Sequence, residues 1–172
     1  KRGEQWEFSP VDISKGDLKK QIASVIKPLA SMYHFQSMGE YKAVLSLYNI
    51  NVEELKGEAK GKPYRGLLYS AMDNEGNKVG NPLKSSIFGK SVGYDGLEKR
   101  MEKSAERIKS KNLEAHTLKA VSEAKQGSQS ESEFRAKLRQ QGIDVLFRRN
   151  DEGRIYGATF IDHTTRTVLN GS

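Results

Sequence analysis

The fold turns on SMGEYKAVLSLYNINV, Ser37 to Val52, and on a second stretch that aligns with it without gaps, SESEFRAKLRQQGIDV, Ser130 to Val145. Each opens with Ser and carries Glu three residues later. That spacing lets the Ser hydroxyl and the Glu carboxylate satisfy the free amides at a helix start. Tyr41 then matches Phe134, Ala43 matches Ala136, and Leu45 matches Leu138. Asn49 aligns with Gly142, the two residue types that best tolerate the left-handed position ending a helix. Ile50 and Val52 match Ile143 and Val145, alternating as strand residues do.

Working outward, Tyr64–Asn81 is similar to Ile155–Asn170, with Gly66 and Gly157 each three residues before an aromatic, Tyr69 or Phe160. Each is an apolar strand, a polar turn and a second short strand. The turns open on Asp73 and Asp162, whose side chains can bond nearby amides. In the second copy the strands are expected at Ile143–Arg148, Arg154–Asp162 and Arg166–Leu169, with Asn150–Gly153 as the hairpin turn. The expected class is α+β, two repeated helix-plus-three-strand units joined by a long charged helix, with a further helix at the front. The expected boundaries are 1–34 for an irregular segment and helix, 35–93 for the first unit, 94–129 for the connector and 130–172 for the second unit.

The front helix is expected over Asp17–Tyr33, because Leu18, Ile22, Val25, Leu29 and Met32 share one face. Ser14 or Asp17 is its candidate cap, and Pro28 is expected to kink or divide it. Trp6, Phe8 and Val11 are candidates to pack on a neighbour. The connector, Tyr94–Gln126, is rich in Glu, Lys, Arg and Ala, with acidic and basic residues interleaved. It reads as an exposed helix with one apolar edge and a break near Lys111-Asn112. Lys56–Gly66 and Asn81–Gly93 read as basic loops containing Gly.

The 172 residues carry a net charge of +7, with 35% apolar and 30% charged residues, which suits a folded, well-solvated chain. The basic balance favours a polyanion, but the excess is spread and forms no dense tail. With no Cys, disulfide scaffolds and thiolate zinc sites are excluded. No run is long enough to span a bilayer, so no membrane partner is expected, and a cytoplasmic location is expected with no signal peptide visible. The chain starts without Met, and its end at Ser172 reads as a hairpin cut short, so an excised or processed piece is expected.

Signals for chemistry are weak. His34, His116 and His163 are far apart in sequence and form no metal-ligand spacing. His163 is expected as an exposed turn residue beside an Asp162 that bonds local amides. Gly89-Lys90-Ser91 lacks the glycine that a phosphate-binding loop needs, since Lys84 holds that position. No nucleophile elbow or paired carboxylates stand out. No catalytic residue is assigned.

Taken together, FQSMGEYKAVLSLYNINVEELKGE, GKPYRGLLYSAMDNEGNKVGNPLKSSIFGKSVGY and GIDVLFRRNDEGRIYGATFIDHTTRTVLNGS resemble the relaxase/mobilization nuclease proteins of mobilizable and conjugative elements. The likeness is to the region following their nuclease domain. It runs from about Asp12 onward and is least specific over 99–129. Such proteins nick one DNA strand with an active-site Tyr and a divalent metal held by a His-hydrophobic-His cluster. That cluster has no counterpart here, so the resemblance implies no cofactor in this stretch and a metal only in the nuclease domain. It implies a non-catalytic region contacting transfer-origin DNA, single- or double-stranded, mainly through phosphates. Lys56, Lys60, Lys62, Arg65, Lys84, Lys90, Arg148, Arg149 and Arg154 are the candidate contacts. Tyr64, Tyr69, Phe147 and Tyr156 are candidate stacking faces. The alternative is a module that docks relaxosome accessory proteins or the secretion channel.

Overall fold

The computed structural model describes residues Phe8–Gly171; Trp6 lies outside the described residues. Among them are five α-helices, α1 (Leu18–Met32), α2 (Met38–Ser46), α3 (Tyr94–Ser110), α4 (Glu114–Gln126) and α5 (Glu131–Gln140). The strands are β1 (Ile50–Ala59), β2 (Lys62–Met72), β3 (Lys78–Lys84), β4 (Ile143–Arg149), β5 (Ile155–Asp162) and β6 (Thr167–Gly171). They form two antiparallel meanders, β1-β2-β3 and β4-β5-β6. The class is α+β, and the order of helix then three-stranded sheet occurs twice.

The repeat extends to the hydrogen bonds that start and stop its helices. Ser37 Oγ accepts the Glu40 amide at 3.2 Å, and Ser130 Oγ accepts the Glu133 amide at 3.1 Å. Each Glu reaches back, but to the amide one residue before the Ser: Gln36 donates to Glu40 at 2.7 Å and Gln129 to Glu133 at 3.3 Å. Both copies share that one-residue displacement. At the other ends Asn49 has φ 62° and Gly142 has φ 78°, so each helix stops through a left-handed residue. At Gly142 a side chain is excluded twice over, since an added Cβ would also lie 2.8 Å from Thr164 Oγ1.

The described residues divide into two compact units, 8–32 with 44–101 and 33–43 with 102–171. In the first, α1 packs on β2 and on the 3-10 turn Lys90–Val92. Ile22, Val25, Ile26 and Leu29 of α1 are buried, as are Ile50, Val52, Leu67 and Tyr69 on the sheet. Phe8 stacks edge-on against Tyr48 and Val11 is buried, as their apolar character suggests. Asp17 caps α1, accepting the Lys20 amide at 3.3 Å. Helix α1 runs unbroken past Pro28, contrary to the expected division. The missing N–H leaves only the carbonyl of Ser24 without a helical donor, and Ser24 is exposed to water.

In the second unit α4 and α5 lie on one face of β4-β5-β6. Ala120 and Ala124 of α4 join Leu138, Ile143 and Val145 in one core cluster. This corrects the expectation that the connector is an exposed helix along its whole length. The helix breaks at Asn112, with φ 49°, close to where the sequence placed the break. The half beyond the break is a core element. Its small alanines, Ala120 and Ala124, let α4 pack closely against α5, so the apolar stripe looked thin in sequence although these residues are buried. The outer edge of β6 is also occupied. His34 bridges Thr167 in parallel, donating to Arg166 O at 2.7 Å and accepting from the Val168 amide at 2.9 Å. Two positions on, the Asn170 amide donates to the buried Glu40 carboxylate. One side chain therefore starts a helix and closes a strand edge that would otherwise be free to pair with another chain.

Candidate nucleic-acid interface

Of the nine candidate cations, six belong to the first unit and three to the second. Lys56, Lys60, Lys62 and Arg65 come together on a single two-stranded ribbon, the far half of the β1–β2 hairpin. Sequence reading took Lys56–Gly66 for a loop. The structure continues both strands to a two-residue turn, with Ala59 paired to Lys62. Lys60 and Gly61 at the tip have φ 54° and 77°. Two successive left-handed residues give the turn whose twist matches paired strands. Lys-Gly at that spot is a weaker signal than Asn-Gly, which is why the hairpin was missed.

Every residue from Lys56 to Arg65 is exposed. The near half of the hairpin buries Ile50, Val52, Leu67 and Tyr69, but from Lys56 outward no core lies under either face. The register places Lys56 opposite Arg65 on one face and Lys62 and Tyr64 on the other. Tyr64 leans across Gly57, where an added Cβ would stand 3.1 Å from its ring. Glu58 is the one acid in this span. Arg65 bonds the Tyr94 hydroxyl and its guanidinium lies 5.1 Å from that ring's centre. Lys84 pairs with Leu68 on the Tyr64 face, and Lys90 is exposed in the 3-10 turn beyond it.

The three arginines of the second unit are placed differently. Arg148 is half-buried and spends its donors on Thr159 Oγ1 at 2.6 Å, Asn170 Oδ1 at 3.2 Å and Gly171 O at 3.0 Å. It lies across Gly157, where a Cβ would collide with it at 2.3 Å. Arg149 pairs with Glu131 at 2.7 Å and holds that carboxyl below its ordinary value. Arg154 is exposed before β5. Of the proposed stacking faces, Tyr69 is fully buried, with its hydroxyl on Val92 O and its ring edge-on to Phe88, so it is a core residue. Phe147 lies under the Arg135 guanidinium at 4.9 Å. Tyr64 and Tyr156 are exposed.

The pair Asp162-His163 needs a correction. Asp162 does bond local amides, taking those of Thr164 and Thr165 at 3.0 and 3.3 Å. Its other oxygen accepts from His116 Nδ1 at 2.6 Å and Thr117 Oγ1 at 2.7 Å, both on α4. His163 is buried rather than exposed, with Nε2 2.9 Å from Asp144 and Nδ1 2.5 Å from the Tyr33 hydroxyl. These links staple the β5–β6 turn to α4, to β4 and to the segment before α2. Nothing local in the sequence marks them, because each partner is at least 19 residues away. Among the described residues no group of three His, Asp or Glu side chains could hold a metal ion. Among the described residues no helix is long and apolar enough to cross a membrane.

No protein-family model, no curated protein and no solved structure matches this chain.

Proposed function

We propose that this chain is a non-catalytic DNA-binding module whose principal contact is the β1–β2 arm. The observation that carries this reading is the ribbon from Lys56 to Arg65, exposed throughout and holding four cations against one acid. A hairpin extended beyond its core gains little from burial. A two-stranded ribbon does fit the major groove of duplex DNA, about 12 Å wide. Cations at the tip and on both faces of such a ribbon meet phosphates on either side of the groove. Lys84 and Lys90 supply charge on the same unit. In the setting that the resemblance to mobilization relaxases implies, the ligand is transfer-origin DNA and the cutting chemistry belongs to a different domain. A cytoplasmic site of action follows from that setting.

The test is a fluorescence-anisotropy titration of labelled duplex and single-stranded DNA across a salt series. Each phosphate contact contributes about 0.9 to the slope of log affinity against log salt, so losing four flattens it by about three to four. The quadruple variant Lys56→Gln, Lys60→Gln, Lys62→Gln, Arg65→Gln is expected to show that flattening while keeping its thermal transition, because none of the four is in the core. An unchanged slope in the variant, or a shallow slope in the parent chain, overturns the reading.

A further inference from the structure

Among the described residues, β1 keeps an outer edge that nothing covers or blunts. Other edges are managed: β3 contains Pro82, Arg135 of α5 donates to Val145 O of β4, and His34 closes β6. On the free far half of β2, Pro63 removes a donor. β1 has no Pro and no bulge, since its register with β2 runs unbroken from Ile50 to Ala59. Pro63 also fixes which way the β1 backbone points. It has no N–H, so Glu58↔Pro63 is a non-hydrogen-bonded pair. The backbone groups of Glu58, and at every second residue those of Lys56 and Glu54, therefore face away from β2. No described group hydrogen-bonds to them.

The side chains at these positions have a fixed order of charge. Along the edge they run Glu54, Lys56, Glu58 and, at the tip, Lys60: acid, base, acid, base. Among the described residues none of the four has an ion-pair partner. The other charges of the ribbon are placed elsewhere. Arg65 shares their face but is turned to Tyr94, while Lys62 and the Glu53–Lys78 pair lie on the opposite face.

We infer that β1 pairs antiparallel with β1 of a second copy, centred on Gly57. Lys56 then stands opposite Glu58 of the second copy and Glu58 opposite its Lys56, with Glu54 and Lys60 matched in the same way at the ends. At the centre Gly57 faces Gly57, so no side chains oppose each other there. The alternation discriminates between registers. An antiparallel shift of two residues, or a parallel pairing in register, sets like charge against like. A shift of four matches charge again but keeps only half of these pairs. The contact joins two arms into one four-stranded sheet, and its two-fold symmetry leaves neither β1 edge open. The inference uses the edge of the arm and does not rest on the DNA reading; Lys62 takes no part in it.

The experiment is sedimentation equilibrium of the whole chain over a concentration series at low salt. The parent chain is expected to form a reversible dimer. Lys56→Glu and Glu58→Lys each set like charges opposite one another and should weaken self-association about ten-fold. Mixed one to one, the two variants bring acids against bases again, so the mixed dimer should regain the parent affinity. Lys62→Glu makes the same charge change on the opposite face and should leave association unchanged. All three positions are exposed, so the variants should keep the fold. Glu58→Lys adds a cation to the arm, so its DNA affinity should hold or rise while pairing falls; failure of this inference and failure of the DNA reading are thus read separately. A parent chain that stays monomeric at about 1 mM, single variants that associate as well as the parent, or a mixture no tighter than either variant alone would each overturn the inference.

Discussion

Replacing Asp162 by alanine removes one fully buried carboxylate and leaves four donors without their acceptor: His116 Nδ1, Thr117 Oγ1 and the amides of Thr164 and Thr165. Thr117 is itself fully buried, so its hydroxyl has no water to turn to. Removing one partner of a buried pair costs about 3–5 kcal/mol. The His116 side chain is 36% exposed, which screens its share and places the expected loss near about 3 kcal/mol. With a urea dependence of roughly 2 kcal/mol per molar, the midpoint should fall by about 1.5 M. Amide signals of β4–β6 in ¹H–¹⁵N spectra would follow this unit's own transition. Asp162→Asn should recover more than half of the loss, because its carbonyl can still accept the two turn amides and its NH₂ can face Thr117. The repeat supplies an internal control. Asp73 holds the matching turn through local bonds alone, to the amides of Glu75 and Asn77 and to the Asn77 side chain, so Asp73→Ala should cost far less. If the two alanine variants shift their transitions equally, or Asp162→Ala moves its midpoint by under about 0.5 M, the staple carries no weight and Asp162 is only a turn residue.

Two further predictions concern acid. Burial pushes Asp144 up, but the hydrogen bond and charge of His163, joined by Arg139, hold it below its ordinary value of 3.8. The unfolded chain therefore takes up this proton first. The contribution of Asp144 is full above pH 3.8 and is lost as pH falls through the lower folded value. Thermal melts of Asp144→Asn should show lower stability near neutrality and a flatter acid decline than the parent chain; a steeper decline contradicts the pairing. Glu40 runs the other way, because burial lifts it above 4.5 against the pull of the Gln36 and Asn170 amides. Its contribution is full below pH 4.5 and is lost as pH rises through the raised value. Glu40→Gln keeps an acceptor for both amides, so its stability relative to the parent should rise from pH 4 to pH 7, and a fall would refute the assignment.

Much of the architecture is local and was legible. Ser and Glu at the helix starts, Asn49 and Gly142 at the stops and Asp at the turns act within a few residues of chain, so their chemistry shows in the order of letters. The strands of the second copy fall within two residues of their expected ends. The β1–β2 arm was half legible. Its cations were named, but a Lys-Gly tip between strands with little apolar alternation looks like a loop.

What only the folded chain decided depends on pairs brought together from far apart. The sequence determined that a helix-then-meander unit occurs twice and that the surface is basic, because capping, turn propensity and alternation are short-range preferences. The tertiary structure decided that α4 belongs to a core, that four of nine candidate cations share one ribbon, and that Asp162 and His163 are staples rather than solvated turn residues. Burial of a side chain is a property of what packs over it, and Asp162 meets Thr117 of α4 at a sequence separation of 45.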